Sequence, residues 1–274
     1  MHSSNATIKS ADGIDLYYET HKGKSTKPTL FFLHGMGGDL DAWQYVKKPF
    51  EEKGYSTISM DLRGHGYSTH PTKNQSYEID NFVRDILDIL NKEKVEKVIL
   101  IGHCYGAIIA LALAAGFGEK LKGLILISGS YHPPLYLNSK AKQKLATAFS
   151  KALAAISPKP FKPGHSIYPP GKFHKDYEWW GLIKTIFHNS LKSYMLASNQ
   201  IVNLNLEDKL TKIKNPTLIL CGTKDSIFPL SISQNMHALI PDAKLEIIED
   251  GNHVIILNNV KAVETAISRF LQTL

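Results

Sequence analysis

Short apolar runs recur along the chain, and segments with helical spacing of apolar residues separate them. The runs are residues 30–33, 57–60, 98–101, 124–127, 218–220 and 245–248. Continuous apolar runs, as opposed to alternating ones, are typical of strands buried on both faces of a parallel sheet. The intervening residues 77–90 and 260–271 place their apolar side chains on one helical face. Because strands and helices alternate, we predict an α/β fold with a mostly parallel central sheet flanked by helices.

The N-terminal part of the chain has a different pattern. Residues 14–20 alternate as Ile-Asp-Leu-Tyr-Tyr-Glu-Thr, after the turn sequence Ala-Asp-Gly at 11–13. Alternation predicts a strand with one exposed face. We therefore expect this strand near an edge of the sheet.

The alternation of strands and helices stops after residue 130. The following residues, 131–206, contain proline-rich joints and amphipathic segments but no clear buried strand. The pattern predicts a helix over 141–156, a Pro/Gly-rich loop over 158–170 and an aromatic-rich helical segment over 177–203. We interpret residues 131–206 as a helical cap inserted over the carboxyl ends of the strands, with residues 1–130 and 207–274 forming the core.

Several aromatic and apolar residues of the insert have two open interpretations. They either line an apolar acyl pocket or simply pack the insert onto the core. These residues are Trp179, Trp180, Phe187, Tyr194 and Met195.

The pentapeptide Gly-His-Cys-Tyr-Gly at residues 102–106 has the strongest chemical signal. It lies between a strand-like run and an Ala/Ile/Leu-rich stretch, and so predicts a sharp turn from strand to helix. Cys104 at its apex is a potential nucleophile, and small neighbours make room for a strained backbone. The helix start places positive partial charge beside the thiol and favours thiolate. A lone cysteine is otherwise more often a small buried apolar residue.

Two glycine-rich segments follow other strands. His-Gly-Met-Gly-Gly at residues 34–38 exposes backbone N–H groups past a strand end, and we expect the N–H groups of Met36 and Tyr105 to stabilise an oxyanion. In Asp-Leu-Arg-Gly-His-Gly-Tyr-Ser at 61–68, we expect Asp61, Arg63 and His65 to fix the loop by polar contacts.

Two later loops supply an acid and a base. Asp225 lies three residues after the strand-like run that ends at Gly222, and His253 follows the run at 245–248. Open α/β sheets build their sites at such carboxyl-end loops. The chain has twelve histidines, and most of them must have no catalytic role. His253 is therefore singled out by its position after a strand and not by its residue type.

Cys104, Asp225 and His253 follow one another along the chain in the order nucleophile, acid, base. With the other motifs between residues 34 and 253, this order resembles that of the α/β-hydrolase superfamily. The resemblance implies Cys104 as nucleophile, His253 as general base and acid, and Asp225 as the group that orients His253. It also implies an oxyanion hole from Met36 and Tyr105. Most members have Ser where this chain has Cys; dienelactone hydrolases and polyhydroxyalkanoate synthases are similar in using Cys. Further candidates for substrate contact are Gly35, His103, Trp179 and Trp180.

The expected reaction is hydrolysis of a carboxylic ester or thioester through a covalent acyl-enzyme. Three alternatives stay open: an acyltransferase with the same site, a non-catalytic ligand-binding protein of this fold, and a serine esterase in which Ser was replaced by Cys. No Walker loop, dinucleotide fingerprint, His-x-x-x-His or Cys-x-x-Cys pair occurs, so we expect neither metal nor cofactor.

The amino-acid composition is consistent with a globular protein of this class. The 274 residues are 43% hydrophobic and 21% charged, as in ordinary globular proteins. The formal net charge of +7 comes mainly from scattered lysines, and no motif indicates nucleic-acid binding. The longest apolar run, 107–115, is too short to span a bilayer, so we expect no stable membrane insertion. The first residues lack an apolar signal core, from which we expect a cytoplasmic protein. We expect Cys221 to pack inside a strand.

Overall fold

The structure, a computed structural model, describes residues 3–24, 26–132, 140–156, 163–171, 190–202 and 204–274. An eight-stranded sheet runs in the order β1-β2-β4-β3-β5-β6-β7-β8. Its strands are β1 (Ser3–Lys9), β2 (Asp15–His21), β3 (Thr29–Leu33), β4 (Thr57–Met60), β5 (Val98–His103), β6 (Leu121–Ile127), β7 (Thr217–Gly222) and β8 (Ala243–Ile248). The pairings of β2 with β1 and β4 are antiparallel and all the others are parallel. The predicted fold class is confirmed.

Helices cover both faces of the sheet. Their bounds are α1 (Gln44–Glu52), α2 (Ile79–Lys92), α3 (Tyr105–Phe117), α4 (Lys140–Ile156), α5 (Leu191–Ile201), α6 (Glu207–Leu210), α7 (Leu230–Leu239), α8 (Ile255–Asn258) and α9 (Val260–Leu271). Along β3, Phe31 and Leu33 join the apolar cluster that contains α2 and α3, while Leu30 and Phe32 join the cluster with α1 and α9. Burial on both faces explains why the strand sequences read as continuous apolar runs.

The two edges of the sheet differ from the sequence-based expectation. The alternating strand predicted at 14–20 is β2, but β1, which the pattern did not reveal, lies outside it. The run at 245–248 was predicted to be buried on both faces, and this prediction is wrong. It belongs to β8 at the opposite edge, which has one neighbouring strand, β7, and Ile247 is 46% exposed there.

Two helices of the 131–206 insert are described. The predicted helix over 141–156 is α4, and α5 covers part of the segment predicted at 177–203. Trp179, Trp180 and Phe187 lie outside the described residues. The α5 helix is joined to the core, because Tyr77 donates a hydrogen bond to Ser193 at 2.9 Å and the Asn199 amide donates to Asn74 at 2.8 Å. The division into core and cap remains a prediction.

A second part of the insert, residues 163–171, is attached to the core by ion pairs of His165. The two ring nitrogens of His165 lie 3.2 Å from an Asp41 carboxylate oxygen and 2.8 Å from an Asp61 oxygen. Burial lowers the pKa of His165, but hydrogen bonds to Asp41 and Asp61 outweigh burial and raise it to about 10. His165 is therefore an imidazolium at neutral pH.

The same segment also binds Asp39, just ahead of Asp41. The Ser166 N–H and the Tyr168 hydroxyl donate to the Asp39 carboxylate at 2.7 and 3.0 Å. Burial raises the pKa of Asp39 to about 7. Residues 163–171 thus contact the chain directly after the glycine-rich turn at 34–38.

The turn from β5 to α3 is crowded by backbone. A Cβ atom on Gly106 would approach the Leu33 carbonyl and lie 2.8 Å from the His34 carbonyl oxygen. Such distances are below van der Waals contact, so only glycine lets α3 lie this close to the end of β3.

Cys104 and Cys221 are both free thiols, and Cys221 is completely buried in β7 as predicted. None of the helices in the described part of the chain combines the length and the apolar character that a membrane span requires.

Replacing Gly106 by Ala should destabilise the protein, because the added methyl group meets fixed carbonyl groups. We expect a loss of about 1–3 kcal/mol in the free energy of unfolding, measured by urea denaturation. Gly116→Ala in the same helix is the matched control, since a Cβ there meets nothing within 4 Å. The control should gain about 0.5–1 kcal/mol. Equal effects of the two substitutions would contradict this description of the turn.

Replacing His165 by Gln should remove a pH-dependent contribution to stability. The folded pKa lies above the ordinary value near 6.5, so the charged histidine stabilises fully below about pH 6.5 and progressively less as the pH rises toward 10. The groups that face it are Asp39, Asp41, Asp61, Tyr17 and Tyr67. The difference in unfolding free energy between wild type and variant should therefore shrink with rising pH. A difference that is constant from pH 6 to 10 would show that charge is not the cause.

Candidate active site

Cys104 lies between the end of β5 and the start of α3. Its backbone has φ 53° and ψ −113°, a conformation that non-glycine residues rarely adopt. The strain, of order 1–3 kcal/mol, persists because the surroundings fix it. The Cys104 N–H donates to the Ile127 carbonyl at 3.0 Å, and its carbonyl accepts from the Ala107 N–H at 3.1 Å. The half-buried thiol is therefore presented at the N-terminus of α3.

The loops after β7 and β8 are joined side by side. The Lys224 N–H donates to the Gly251 carbonyl at 2.8 Å, and the Thr223 N–H donates to the Ile248 carbonyl at 3.1 Å. A Cβ on Gly222 would collide with the Gly251 backbone, so glycine permits the close approach. This contact brings together two loops whose candidate residues, Asp225 and His253, are 28 positions apart in sequence.

Asp225 and His253 meet where these loops touch. Nδ1 of His253 lies 3.0 and 3.1 Å from the two Asp225 carboxylate oxygens. Asp225 also accepts hydrogen bonds from the N–H groups of Ile227 and Phe228, at 2.9 and 2.8 Å, which fix its orientation. The Cys104 side chain lies close enough to His253 to interact with it electrostatically. The structure thus brings the three predicted side chains into one chain of contacts.

The electrostatics of this cluster favour a charged imidazole. Burial lowers the pKa of His253, but a negative charge on Cys104 and the hydrogen bond that His253 donates to Asp225 raise it to about 10. Burial raises the pKa of Asp225, but the hydrogen bond from His253, the charge of His253 and the backbone N–H groups of Phe228 and Ile227 together outweigh burial and keep the pKa below its ordinary value. His253 is therefore an imidazolium between two potential anions.

The turn at 34–38 lies against Cys104. A Cβ on Gly35 would be 3.1 Å from the Cys104 Cβ, so this glycine leaves the Cys104 side chain uncovered. Two hydrogen bonds fix the turn: the Gly38 N–H donates to the Gly35 carbonyl at 3.0 Å, and the Gly37 N–H donates to Nε2 of His65 at 3.0 Å. Met36 lies between these fixed points.

Tyr105 is the first residue of α3, where N–H groups have no acceptor within the helix. Its N–H is therefore available near the Cys104 side chain. An oxyanion hole formed by the N–H groups of Met36 and Tyr105 remains a prediction.

Three buried histidines surround the site as neutral groups. Burial lowers the pKa of His103 to about 3 and that of His65 to about 4, and it lowers the pKa of His34 well below 6.5. Nε2 of His103 donates to the His253 carbonyl at 2.9 Å. His103 was a candidate for substrate contact, whereas in the structure this nitrogen holds the His253 backbone. The candidates Trp179 and Trp180 are outside the described residues.

The loop at 61–68 has the expected structural role. The Arg63 guanidinium donates two hydrogen bonds to Asp85, at 2.6 and 2.7 Å, and contacts Asp12 at 2.8 Å. Asp61 accepts from the Leu40 N–H at 2.9 Å. His65 holds the Gly37 amide, as described above.

Sequence reasoning missed two side chains that support the site. The Phe228 ring lies 5.6 Å from the His253 ring, centroid to centroid, and His165 holds the chain next to the turn at 34–38. Phe228 follows Asp225 by three positions, in the loop after β7. His165 had no sequence signal, because Asp41 and Asp61 are more than 100 residues away in the chain.

One group of side chains in the described ranges has metal-ligand spacing. The ligand atoms of Asp39, Asp41 and His165 lie within 4.8 Å of one another. Both ring nitrogens of His165 already face carboxylates, those of Asp41 and Asp61. The imidazolium therefore supplies the positive charge of this cluster, and a metal ion would have to displace these contacts.

Comparisons with known proteins identify the fold and the family. A family profile described as the alpha/beta hydrolase fold matches residues 28–260. Mouse Protein ABHD8 is 26% identical over 261 residues, which cover 91% of this chain and 56% of that protein. The chain thus spans about half the length of this curated relative. A Haemophilus influenzae protein named "Putative esterase/lipase" is 27% identical over 273 residues, covering 98% of this chain and 92% of that protein.

Solved structures share the architecture. The esterase EaEST from Exiguobacterium antarcticum superimposes with a TM-score of 0.77 at 23% identity, covering 98% of this chain and 100% of the esterase. At this identity the likeness concerns the fold alone. Together with the profile match over most of the chain, it shows that the chain belongs to the α/β-hydrolase fold family.

Proposed function

We propose that this chain hydrolyses carboxylic ester or thioester bonds through a covalent acyl-enzyme on Cys104. The observation that carries the proposal is the contact of one buried imidazole, His253, with both Cys104 and Asp225 at the start of α3. A nucleophile, a base and a group that orients the base are the parts that acyl transfer requires. The esterase names of the Haemophilus relative and of the Exiguobacterium structure support the same class of reaction.

In the acylation half, the Cys104 thiolate attacks the carbonyl carbon of the substrate. The carbonyl π electrons move onto oxygen, and the N–H groups of Met36 and Tyr105 stabilise the resulting oxyanion. When the intermediate collapses, the bond to the leaving group breaks, and His253 gives its proton to the departing alcohol or thiol. The products are a thioester on Cys104 and a neutral His253.

In the deacylation half, neutral His253 removes a proton from water as the water oxygen attacks the thioester carbonyl. Collapse of this intermediate breaks the C–S bond, releases the acid and returns the thiolate beside the imidazolium. The Asp225 carboxylate stays ionised throughout and orients the ring. Loss of one oxyanion donor would raise the barrier by about 3–4 kcal/mol.

The insert bears on substrate choice. We propose that residues 131–206 form a cap over the site, since the Ser198 hydroxyl of α5 lies 3.5 Å from the Met36 sulfur. This contact joins the insert to the turn that supplies one candidate oxyanion donor. Acyl-chain preference would then depend on residues of the insert.

Alkylation by iodoacetamide should label Cys104 alone at neutral pH. Cys221 is buried, and burial raises its pKa, so its thiol should not react in the folded protein. His253→Ala should slow labelling of Cys104 at pH 7, because the imidazolium that stabilises the thiolate is lost. Peptide mass mapping identifies the site, and Cys221→Ser is the control with unchanged kinetics. Labelling of Cys221 first would contradict the assignment.

Steady-state hydrolysis of a chromogenic short-chain ester tests the triad. Cys104→Ala should lower kcat by at least about a thousand-fold, and Asp225→Asn should lower kcat substantially with little change in KM, because the ring loses its orienting anion. Asp250→Asn is the matched control, since Asp250 is an exposed carboxylate in the neighbouring loop. Full activity of Cys104→Ala would refute the proposal.

The same assay separates the alternatives. Steady turnover supports hydrolysis, whereas a burst that stalls until an alcohol, amine or thiol is added indicates an acyltransferase. A large gain on Cys104→Ser would indicate that Cys replaced Ser. Absence of any burst or turnover would favour a non-catalytic binding protein.

A further inference from the structure

The outward face of α4 carries an exposed apolar strip. Leu145 is 72% exposed and Phe149 is 65% exposed, although both are large apolar side chains. They are four positions apart and therefore adjacent on one helical face. Ala148 and Ala152 are exposed on the same side of the helix. Such a contiguous apolar strip on a helix marks a site of interaction with another protein or with a membrane.

The packing of α4 fixes the direction of this strip. The Ser150 hydroxyl donates to the Met195 carbonyl of α5 at 2.7 Å, and Ala154 is buried. At 100° per residue, these two positions lie opposite Leu145 and Ala152. The strip therefore points away from α5.

Lysines border the strip on both sides. In helical projection Lys142 lies beside Phe149, while Lys144 and Lys151 lie together on the other border. All three are exposed. The α4 sequence has no acidic residue, so the positive charge of this face is not compensated within the helix.

We propose that α4 docks the protein on the surface of an anionic phospholipid bilayer. Leu145 and Phe149 enter the boundary between headgroups and acyl chains, and the three lysines contact lipid phosphates. The net charge of +7 attracts the whole protein to the same surface. This inference goes beyond the proposed function and does not depend on it.

Charge favours a bilayer over a second copy of the chain. A symmetric dimer through this face would bring the same lysine borders of two protomers together, and like charges would oppose association. Nucleic acid would meet the lysines but would leave the apolar strip without a partner. An anionic membrane surface satisfies both parts of the face at once.

Vesicle co-sedimentation of the full chain tests the proposal. The protein should bind mixed phosphatidylcholine–phosphatidylglycerol vesicles and should remain in the supernatant with pure phosphatidylcholine vesicles. The double substitution of Leu145→Ser and Phe149→Ser should abolish sedimentation. Lys→Gln at positions 142, 144 and 151 together should lower the partition coefficient by about a hundred-fold, at about five-fold for each lysine.

A control variant with the same net charge tests whether binding depends on the α4 lysines or only on the net charge of the protein. Lys→Gln at 209, 212 and 214 removes the same charge from exposed lysines that precede β7, at the opposite end of the sheet from the site. This control should keep most of the binding. Thermal melts monitored by circular dichroism verify that each variant is folded.

Three results would overturn the proposal. The first is no binding of wild type to anionic vesicles at low ionic strength. The second is an equal loss of binding in the two lysine variants, which would show that only net charge matters. The third is a dimer in sedimentation equilibrium that Leu145→Ser and Phe149→Ser dissociate, because the face would then be covered by a second copy.

Discussion

The close approach of α3 to the end of β3 is the contact on which the site depends. Gly106 lies under the Leu33 and His34 carbonyl groups, with no room for a side chain. That contact forces a sharp turn, and the turn holds Cys104 at φ 53° with its thiol at the start of the helix. The same contact places Gly35 beside the Cys104 Cβ. The candidate nucleophile and the candidate oxyanion donors are therefore positioned by one packing constraint of the fold.

Burial and ion pairing decide which histidines around the site are charged. His253 is kept as an imidazolium by Cys104 and Asp225. In the described part of the chain no carboxylate is hydrogen-bonded to His34, His65 or His103, and burial keeps these three neutral. Neutral imidazoles can both donate and accept, so they fix the backbones of the turn at 34–38 and of His253 without adding charge. Among these four histidines, the positive charge is then on His253, the base of the proposed acyl transfer.

The sequence was sufficient for the parts of the fold that rest on local pattern. Strands buried on both faces read as apolar runs, and the motifs at residues 34–38 and 102–106 carry glycines that only tight backbone contacts require. Asp225 and His253 were recognisable by their positions after strands. The edge strands were harder to predict. β1 has little apolar pattern, and β8 has several apolar residues interrupted by Glu246, although most of its side chains are partly exposed. His165 could not be found, since its partners are distant in sequence and ion pairs leave no periodic signal.

The most direct test of the account is the mass of the protein during turnover. An activated p-nitrophenyl ester, mixed rapidly with the enzyme and quenched in acid, should give intact protein heavier by one acyl group, and peptide mapping should place that group on Cys104. Cys104→Ala should show no added mass. Rapid release of p-nitrophenol by a protein that never carries an acyl group on Cys104, with the same rate in Cys104→Ala, would contradict the account.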